Sequence, residues 1–272
     1  MRSPRSDIFI IKQGYPLVNA PAPVALITGA ARRIGRAMAE DLARHGWRVV
    51  VHHQRSHAEA DELVAAIRNA GGFAVAVAAD LADPAAPARL IAEAGAAAGP
   101  LTLLVNNASL FERDAVGKLD RALWDRQFAV NLAAPVFLAE AFAAQLPAGV
   151  EGNVVNILDQ RIWRPRPVFF SYQITKNALL TATETLAQAL APNVRVNGIA
   201  PGPVLPSPMQ TEEGFAAQVA AIPLQRAPEL AEFGRTIRYF VENRSVTGTV
   251  VALDGGQHLA FQALANPPRT EN

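Results

Sequence analysis

The sequence predicts a doubly wound α/β domain of the Rossmann type, a single parallel sheet with helices on both faces. Three observations predict it. Short apolar runs alternate with longer helical patterns from Val24 to Leu253, which implies parallel strands joined by crossover helices. The runs are continuously apolar rather than alternating, as strands covered on both faces are. Half of the 272 residues are hydrophobic and 18% are charged, enough for one large core. No Pro/Ser-rich linker or internal repeat divides the chain.

The elements follow in order. VALIT (24–28) is a short apolar and β-branched strand ending in Gly29, and a helix from Ile34 to His45 is closed by Gly46, the residue a helix C-terminus prefers. RVVVH (48–52) is the second strand, and a helix over Ala58–Ala70 ends at Gly71-Gly72. FAVAVA (73–78) is the third strand. Asp83-Pro84 is expected to supply the cap and first residue of a helix running to about Ala98. LTLLVN (101–106) and NVVNI (153–157) are the fourth and fifth strands, with helix between them over about Arg121–Gln145. A long helix over Ser171–Leu190 precedes the strands VRVNGI (194–199) and TVVAL (249–253). The proline-dense stretch Pro201–Pro208, followed by a plausible helix, is expected to form a mobile flap over a ligand site. The domain is expected to span 24–259, with 1–23 a flexible extension and 260–272 a polar, proline-broken tail.

Composition excludes several function classes. Twenty-five basic and 24 acidic side chains leave a net charge of +1, without the broad basic field of a nucleic-acid binder. The absence of cysteine removes disulfides and cysteine-based metal or redox sites, and no metal is expected. Ile8–Ile11 is too short for a secretory apolar region, and charges, Pro or Asn interrupt every longer apolar run. The expectation is a cytoplasmic protein without a membrane or nucleic-acid partner.

TGAARRIGRA (28–37) follows the first strand directly. Gly29 permits a tight turn, Gly35 lets the next helix approach the sheet, and N–H groups at that helix N-terminus suit a pyrophosphate. An enzyme that grips the ribose hydroxyl of NAD places an acid about 20 residues later. Here no acid lies between Asp41 and Glu59, and the second strand runs into His52, His53, Gln54, Arg55 and Ser56. A guanidinium and a hydroxyl suit a 2′-phosphate, so NADPH is the expected cofactor, with Arg32 and Arg33 adding positive charge. Tyr172 and Lys176 lie four apart on one helix face. A tyrosine titrates near ~10, and an ammonium beside it stabilises the phenolate and brings it into working range.

These features resemble the short-chain dehydrogenases/reductases over Val24–Leu259. The resemblance rests on TGAARRIG, Asp80-Leu81, NNAS (106–109), Asn131, Tyr172 with Lys176, Pro201-Gly202 and LDGG (253–256). It implies that Ile34, Asp80, Leu81, Asn107, Ala108, Leu158, Pro201 and Gly202 line the cofactor, that Asn131 holds a water in a proton relay, and that the protein is a homotetramer.

Two departures are informative. Arg33 stands where the family's turn has a glycine, and Asp159 stands where the family serine lies, thirteen residues before the tyrosine. An ionised aspartate cannot donate to a carbonyl and repels a developing alkoxide. Either the protein is inactive, or its substrate is one a carboxylate suits, such as a donor-rich ring or an imine nitrogen. Both departures resemble pteridine reductases and the related dihydromonapterin reductases. That resemblance implies that Ser109 contacts cofactor and substrate, that Phe111 stacks on a pterin, and that Phe169 lines its pocket. Arg33 would reach the pterin carbonyl side. Val204 departs from the serine of those reductases, and Arg161, Arg164 and Arg166 face either an anionic substrate tail or solvent. The sequence thus points to NADPH-dependent reduction of a dihydropterin or dihydrofolate by Asp159, Tyr172 and Lys176. A short-chain reductase of ketones or 3-oxoacyl groups and a non-catalytic NADP-binding sensor are the alternatives.

Overall fold

The computed structural model describes residues 22–207 and 210–260; most of the extension and of the tail assigned from sequence lies outside them. Seven parallel strands form one sheet in the order β3-β2-β1-β4-β5-β6-β7. They are β1 (Val24–Ile27), β2 (Arg48–His53), β3 (Phe73–Ala78), β4 (Leu103–Asn106), β5 (Gly152–Ile157), β6 (Val194–Pro201) and β7 (Val250–Leu253). The helices are α1 (Arg33–Arg44), α2 (His57–Asn69), α3 (Ala86–Ala98), α4 (Arg121–Phe128), α5 (Ala134–Gln145), α6 (Phe170–Ala189), α7 (Glu212–Ala220) and α8 (Leu230–Glu242).

Successive strand residues point to opposite faces, and both faces are covered. Ala25 and Ile27 pack with Val49, Val51, Phe233 and Phe240 under α1, α2 and α8. Val24 and Leu26 pack with Val50, Leu90, Leu138 and Phe142 under α3 and α5. Each fully buried Leu or Phe contributes about 1.5–3 kcal/mol of transfer free energy. The two-sided cover explains why the strands read as unbroken apolar runs.

Three expectations are corrected. The third helix starts at Ala86 with Pro87 in its first turn, and Asp83 instead accepts from Ala85 N–H at 2.9 Å in a preceding turn. The helix expected over Arg121–Gln145 is interrupted by a π-helical turn at Ala129–Ala133, which carries Asn131. The proline-rich stretch is anchored rather than loose where it is described: Val204 is buried and Leu205 packs against the core. Helix α7 is the one expected after that stretch; α8 was not among the expected elements, although Glu229 and Glu232 form a capping box at its start and Phe233, Ile237 and Phe240 line one face.

Helix α8 grips α1, the helix that leaves the glycine turn. Arg238 Nε donates to the buried Asp41 carboxylate at 2.9 Å, and a Cβ on Gly234 would lie 2.4 Å from Asp41 Cγ. Arg195 on β6 donates to the carbonyls of Phe240, Val241 and Asn243 at the end of α8, satisfying acceptors a helix C-terminus leaves open. Replacing Gly234 by alanine is expected to lower stability by about 1–3 kcal/mol through overpacking. That figure is the net loss after the ~1 kcal/mol alanine gains in helix propensity, and the urea midpoint would move down with an unchanged m-value.

Candidate active site

The order of strands reverses between β1 and β4, and in such sheets ligands bind at the carboxyl ends beside that point. The chain stitches the two strand ends together there. Thr28 Oγ1 accepts from the N–H groups of Asn107 and Ala108, each at 2.9 Å. Asn107 Nδ2 donates back to Thr28 O and Gly29 O at 2.8 and 3.1 Å. Gly29 has φ +62°, and a Cβ on Gly35 would lie 2.4 Å from Gly29 O, so neither position admits a side chain without rebuilding the turn. Arg33 also holds a left-handed backbone, φ +55°, the conformation that explains the usual glycine at this position.

A cleft of about 490 Å³ opens from this turn. Gly29, Arg32, Arg33 and Ile34 form one wall, and His53, Arg55 and Ser56 form the end of β2. Asp80 and Leu81 close a third side, with Asn107, Ala108 and Ser109 on the floor. Leu158, Tyr172, Lys176, Pro201 and Gly202 do not line it; they lie toward the reaction end, where Gly202 N–H bonds Leu253 O at 2.8 Å.

The cleft's chemistry suits a phosphorylated dinucleotide. Helix α1 begins without a side-chain cap and without an acid in its first turn, leaving its N–H groups and dipole to an anion. His53 is buried and its Nδ1 has no hydrogen-bond partner among the described residues. Burial, followed by the neighbouring His57, lowers the His53 pKa, so an uncharged ring lies beside Arg55 and Ser56. His52, which the sequence did not separate from its neighbour, is structural. Its Nδ1 accepts from Gly29 N–H and its Nε2 donates to Ala79 O, both at 3.1 Å. Burial pushes its pKa down to about 4, which keeps this tautomer neutral. Arg32 is exposed and 3.5 Å from Glu59. The Arg33 guanidinium reaches across to the carbonyls of Leu205 and Pro206 at 3.3 and 3.0 Å, tying the glycine turn to the segment after β6.

At the reaction end, β5 delivers Leu158 and Asp159, with Leu158 N–H held by Ile199 O at 2.7 Å. Asp159 Oδ1 accepts from Arg161 N–H at 2.8 Å and caps a 3₁₀ turn over Gln160–Ile162. Its Oδ2 accepts from the Tyr172 hydroxyl at 2.9 Å. Lys176 Nζ donates to Ile157 O at 2.8 Å. Phe111 meets Tyr172 edge-on at 4.7 Å and lies parallel to Phe169 at 4.2 Å. Asn131 receives Leu110 N–H at 2.7 Å and the Ser109 hydroxyl at 3.2 Å, and donates to Leu110 O and Thr175 Oγ1. Its amide therefore fixes the loop after β4 against α6.

Asp114 was not legible from the sequence, yet it sets the start of α6. Its buried carboxylate accepts from Ser171 N–H at 3.1 Å, and its carbonyl accepts from Phe169 N–H at 2.9 Å. The only hint was a helix beginning at Ser171 without a capping residue before it. Phe169 takes a left-handed backbone, φ +57°, which turns its ring onto Phe111.

The electrostatics correct one expectation. Tyr172 is held well above its usual pKa, first by burial and then by the Asp159 carboxylate, with Arg161 opposing. It is thus a proton-bearing hydroxyl here rather than a stabilised phenolate. Lys176 is pushed down to about 8, first by burial, with Asp159 opposing. A lysine that discharges near 8 when folded and near 10.5 when unfolded penalises the folded state below pH 8, and the penalty fades as pH rises between the two values. Lys176→Met is therefore expected to stabilise the ligand-free protein at pH 7. The gain should shrink above pH 8, by at most about 1.4 kcal/mol per pH unit, in urea unfolding at a series of pH values.

Residues 23–216 match the family model described as short chain dehydrogenase. Two solved structures are similar, both described as FolM alternative dihydrofolate reductase 1 with NADP. The one from Brucella canis has a TM-score of 0.87 and 56% identity, covering 89% of this chain and 96% of that one. The one from Brucella suis has a TM-score of 0.86 and 57% identity, covering 89% and 97%. Pteridine reductase 1 of Leishmania tarentolae is 31% identical over 88% of this chain and 97% of its own length. With the parallel sheet, the glycine turn and the Tyr172–Lys176 pair in place, the chain belongs to the short-chain dehydrogenase/reductase family.

Proposed function

We propose that the protein is an NADPH-dependent reductase of a pterin, with dihydromonapterin-like compounds and dihydrofolate as the candidate substrates. The observation that carries this reading is the Asp159–Tyr172 hydrogen bond of 2.9 Å. A carboxylate at this position accepts hydrogen bonds and cannot donate one to a ketone oxygen. It suits a heterocycle rich in N–H groups. The Brucella relatives, described as alternative dihydrofolate reductases, and the Leishmania pteridine reductase support the same class.

NADPH would lie along the cleft, its phosphates at the α1 N-terminus and its 2′-phosphate beside Arg55 and Ser56, with Asp80 and Leu81 at the adenine. When bound, it supplies the hydride. Asp159 accepts from ring N–H groups and orients the substrate. Tyr172, kept protonated by burial and by Asp159, holds the proton for the ring nitrogen beside the reduced carbon. Lys176 fixes the β5 end through Ile157 O and brings an ammonium under the tyrosine. Phe111 and Phe169 form the aromatic wall for a planar ring, where stacking adds ~0.5–1.5 kcal/mol beyond area burial. Ser109 and Arg33 complete the pocket, with Arg33 exchanging its carbonyl partners for ligand oxygens.

The same reading places the enzyme in the cytoplasm as a homotetramer. Supporting an assembly, the apolar segment Arg121–Gln145 is only partly buried. Phe137 stands 54% exposed there, while Leu138, Ala139 and Phe142 on its other side are wholly buried against the sheet.

The decisive experiment follows NADPH oxidation with dihydromonapterin, dihydrobiopterin and dihydrofolate beside ketones and 3-oxoacyl thioesters. Turnover concentrated on the reduced pterins is expected; faster turnover of ketones would overturn the reading. Asp159→Ala is expected to lower pterin turnover by about 100-fold or more with NADPH affinity nearly unchanged. Arg55→Asp is expected to weaken NADPH binding by about 10- to 100-fold, the range of a lost charge-assisted contact, and to weaken or reverse the preference over NADH in parallel KM measurements.

A further inference from the structure

The loop after Asp159 carries Arg161, Arg164 and Arg166 and no acid from Gln160 to Phe170. The structure separates the three. Arg164 Nη1 donates to Gln257 O at 3.2 Å and so ties the loop to the turn after β7. Arg166 is exposed, and its backbone N–H is held by Gln173 Oε1 at 2.7 Å. Arg161 turns inward, its guanidinium carbon 4.7 Å from the Phe169 ring centre and 5.2 Å from that of Phe111. Its Nη1 is enclosed with no hydrogen-bond partner, and it makes no ion pair among the described residues.

A buried cationic N–H without an acceptor is costly, so a cation kept in that state beside the reacting residues is one that a ligand completes. We propose that Arg161 is a specificity-determining residue, whose guanidinium receives a carboxylate on the side chain of the substrate and so favours pterins with an anionic tail over neutral ones. This rests on the pterin reading above.

The charges on this turn sort the two ends of such a substrate. Asp159, two residues earlier, accepts from the donor-rich ring and repels a carboxylate placed near it. Arg161 attracts that carboxylate to its own side of the aromatic pair. A planar five-donor fork is matched to a carboxylate, and Arg164 and Arg166 add positive charge at the same loop. Phe111 and Phe169 hold the guanidinium through their ring faces, which fixes it without neutralising it. The cation also opposes Asp159 in its effect on Tyr172, so exchanging Arg161 alters the reaction end as well as the tail.

The test measures kcat/KM for dihydrofolate, which carries two carboxylates, and for neutral dihydromonapterin, in the wild type, R161M and R161K. The ratio of the two values isolates the tail, because any effect on the shared ring chemistry cancels. In R161M the dihydrofolate-to-dihydromonapterin ratio is expected to fall by about 10- to 100-fold, as for a lost charge-assisted hydrogen bond, mainly through the KM for dihydrofolate. R161K, which keeps the charge and loses the fork, should fall between, and it carries the test if R161M does not fold. NADPH binding by fluorescence reports folding in both variants. A ratio unchanged within about twofold in active variants overturns this proposal alone. Wild-type inactivity on both substrates overturns the pterin reading and this proposal with it.

Discussion

The stitch between the first and fourth strand ends is the constraint on which the site depends. Thr28 and Gly29 meet Asn107 and Ala108 in four hydrogen bonds between two loops that the parallel sheet delivers side by side. With those loops joined, Gly35 can approach Gly29, α1 points its N-terminus into the cleft, and His52 locks the neighbouring strand end against Gly29. Each bond contributes only about 0.5–1.5 kcal/mol. Leaving any of these partly buried groups unpaired would cost more, and that asymmetry makes the arrangement specific.

A second network, independent of the first, organises the reaction end. Asp159 links the end of β5 to α6 through the Tyr172 hydroxyl, and Lys176 returns from α6 to the carbonyl of Ile157. Asp114 and Asn131 hold the outer loops to the same helix. Asn131 lies in the π-helical turn, and its amide pairs with both backbone groups of Leu110. The aspartate changes the electrostatic character of the site. After burial, it is the main influence that holds the Tyr172 pKa up.

Arg33, in the cleft wall, and Arg161, beside Phe111 and Phe169, show one principle. Both are arginines held beside the ligand-binding region by contacts that leave the charge uncompensated: Arg33 by two backbone carbonyls, Arg161 by two aromatic rings. Neither meets a carboxylate among the described residues.

The alternation of apolar runs determined the doubly wound sheet, because only parallel strands buried on both faces lack a polar alternation. The spacing of Gly29 with Gly35, of Tyr172 with Lys176, and of Asp159 thirteen residues before Tyr172 determined which side chains would meet, because a strand end and the next helix have fixed geometry. The Asp114 anchor was not legible, since its partner Ser171 is distant in sequence, whereas helix α8 carries a local signature, the Glu229–Glu232 capping pair and the apolar face of Phe233, Ile237 and Phe240, and was missed all the same. The direction of the Tyr172 pKa was decided only in three dimensions. The Tyr-x-x-x-Lys spacing predicts a lowered value, but burial and then a carboxylate at 2.9 Å raise it, with Arg161 opposing. The fate of the three loop arginines was decided in the same way. Local sequence makes them equivalent, and only the packing of Phe111 on Phe169 draws one of them inward.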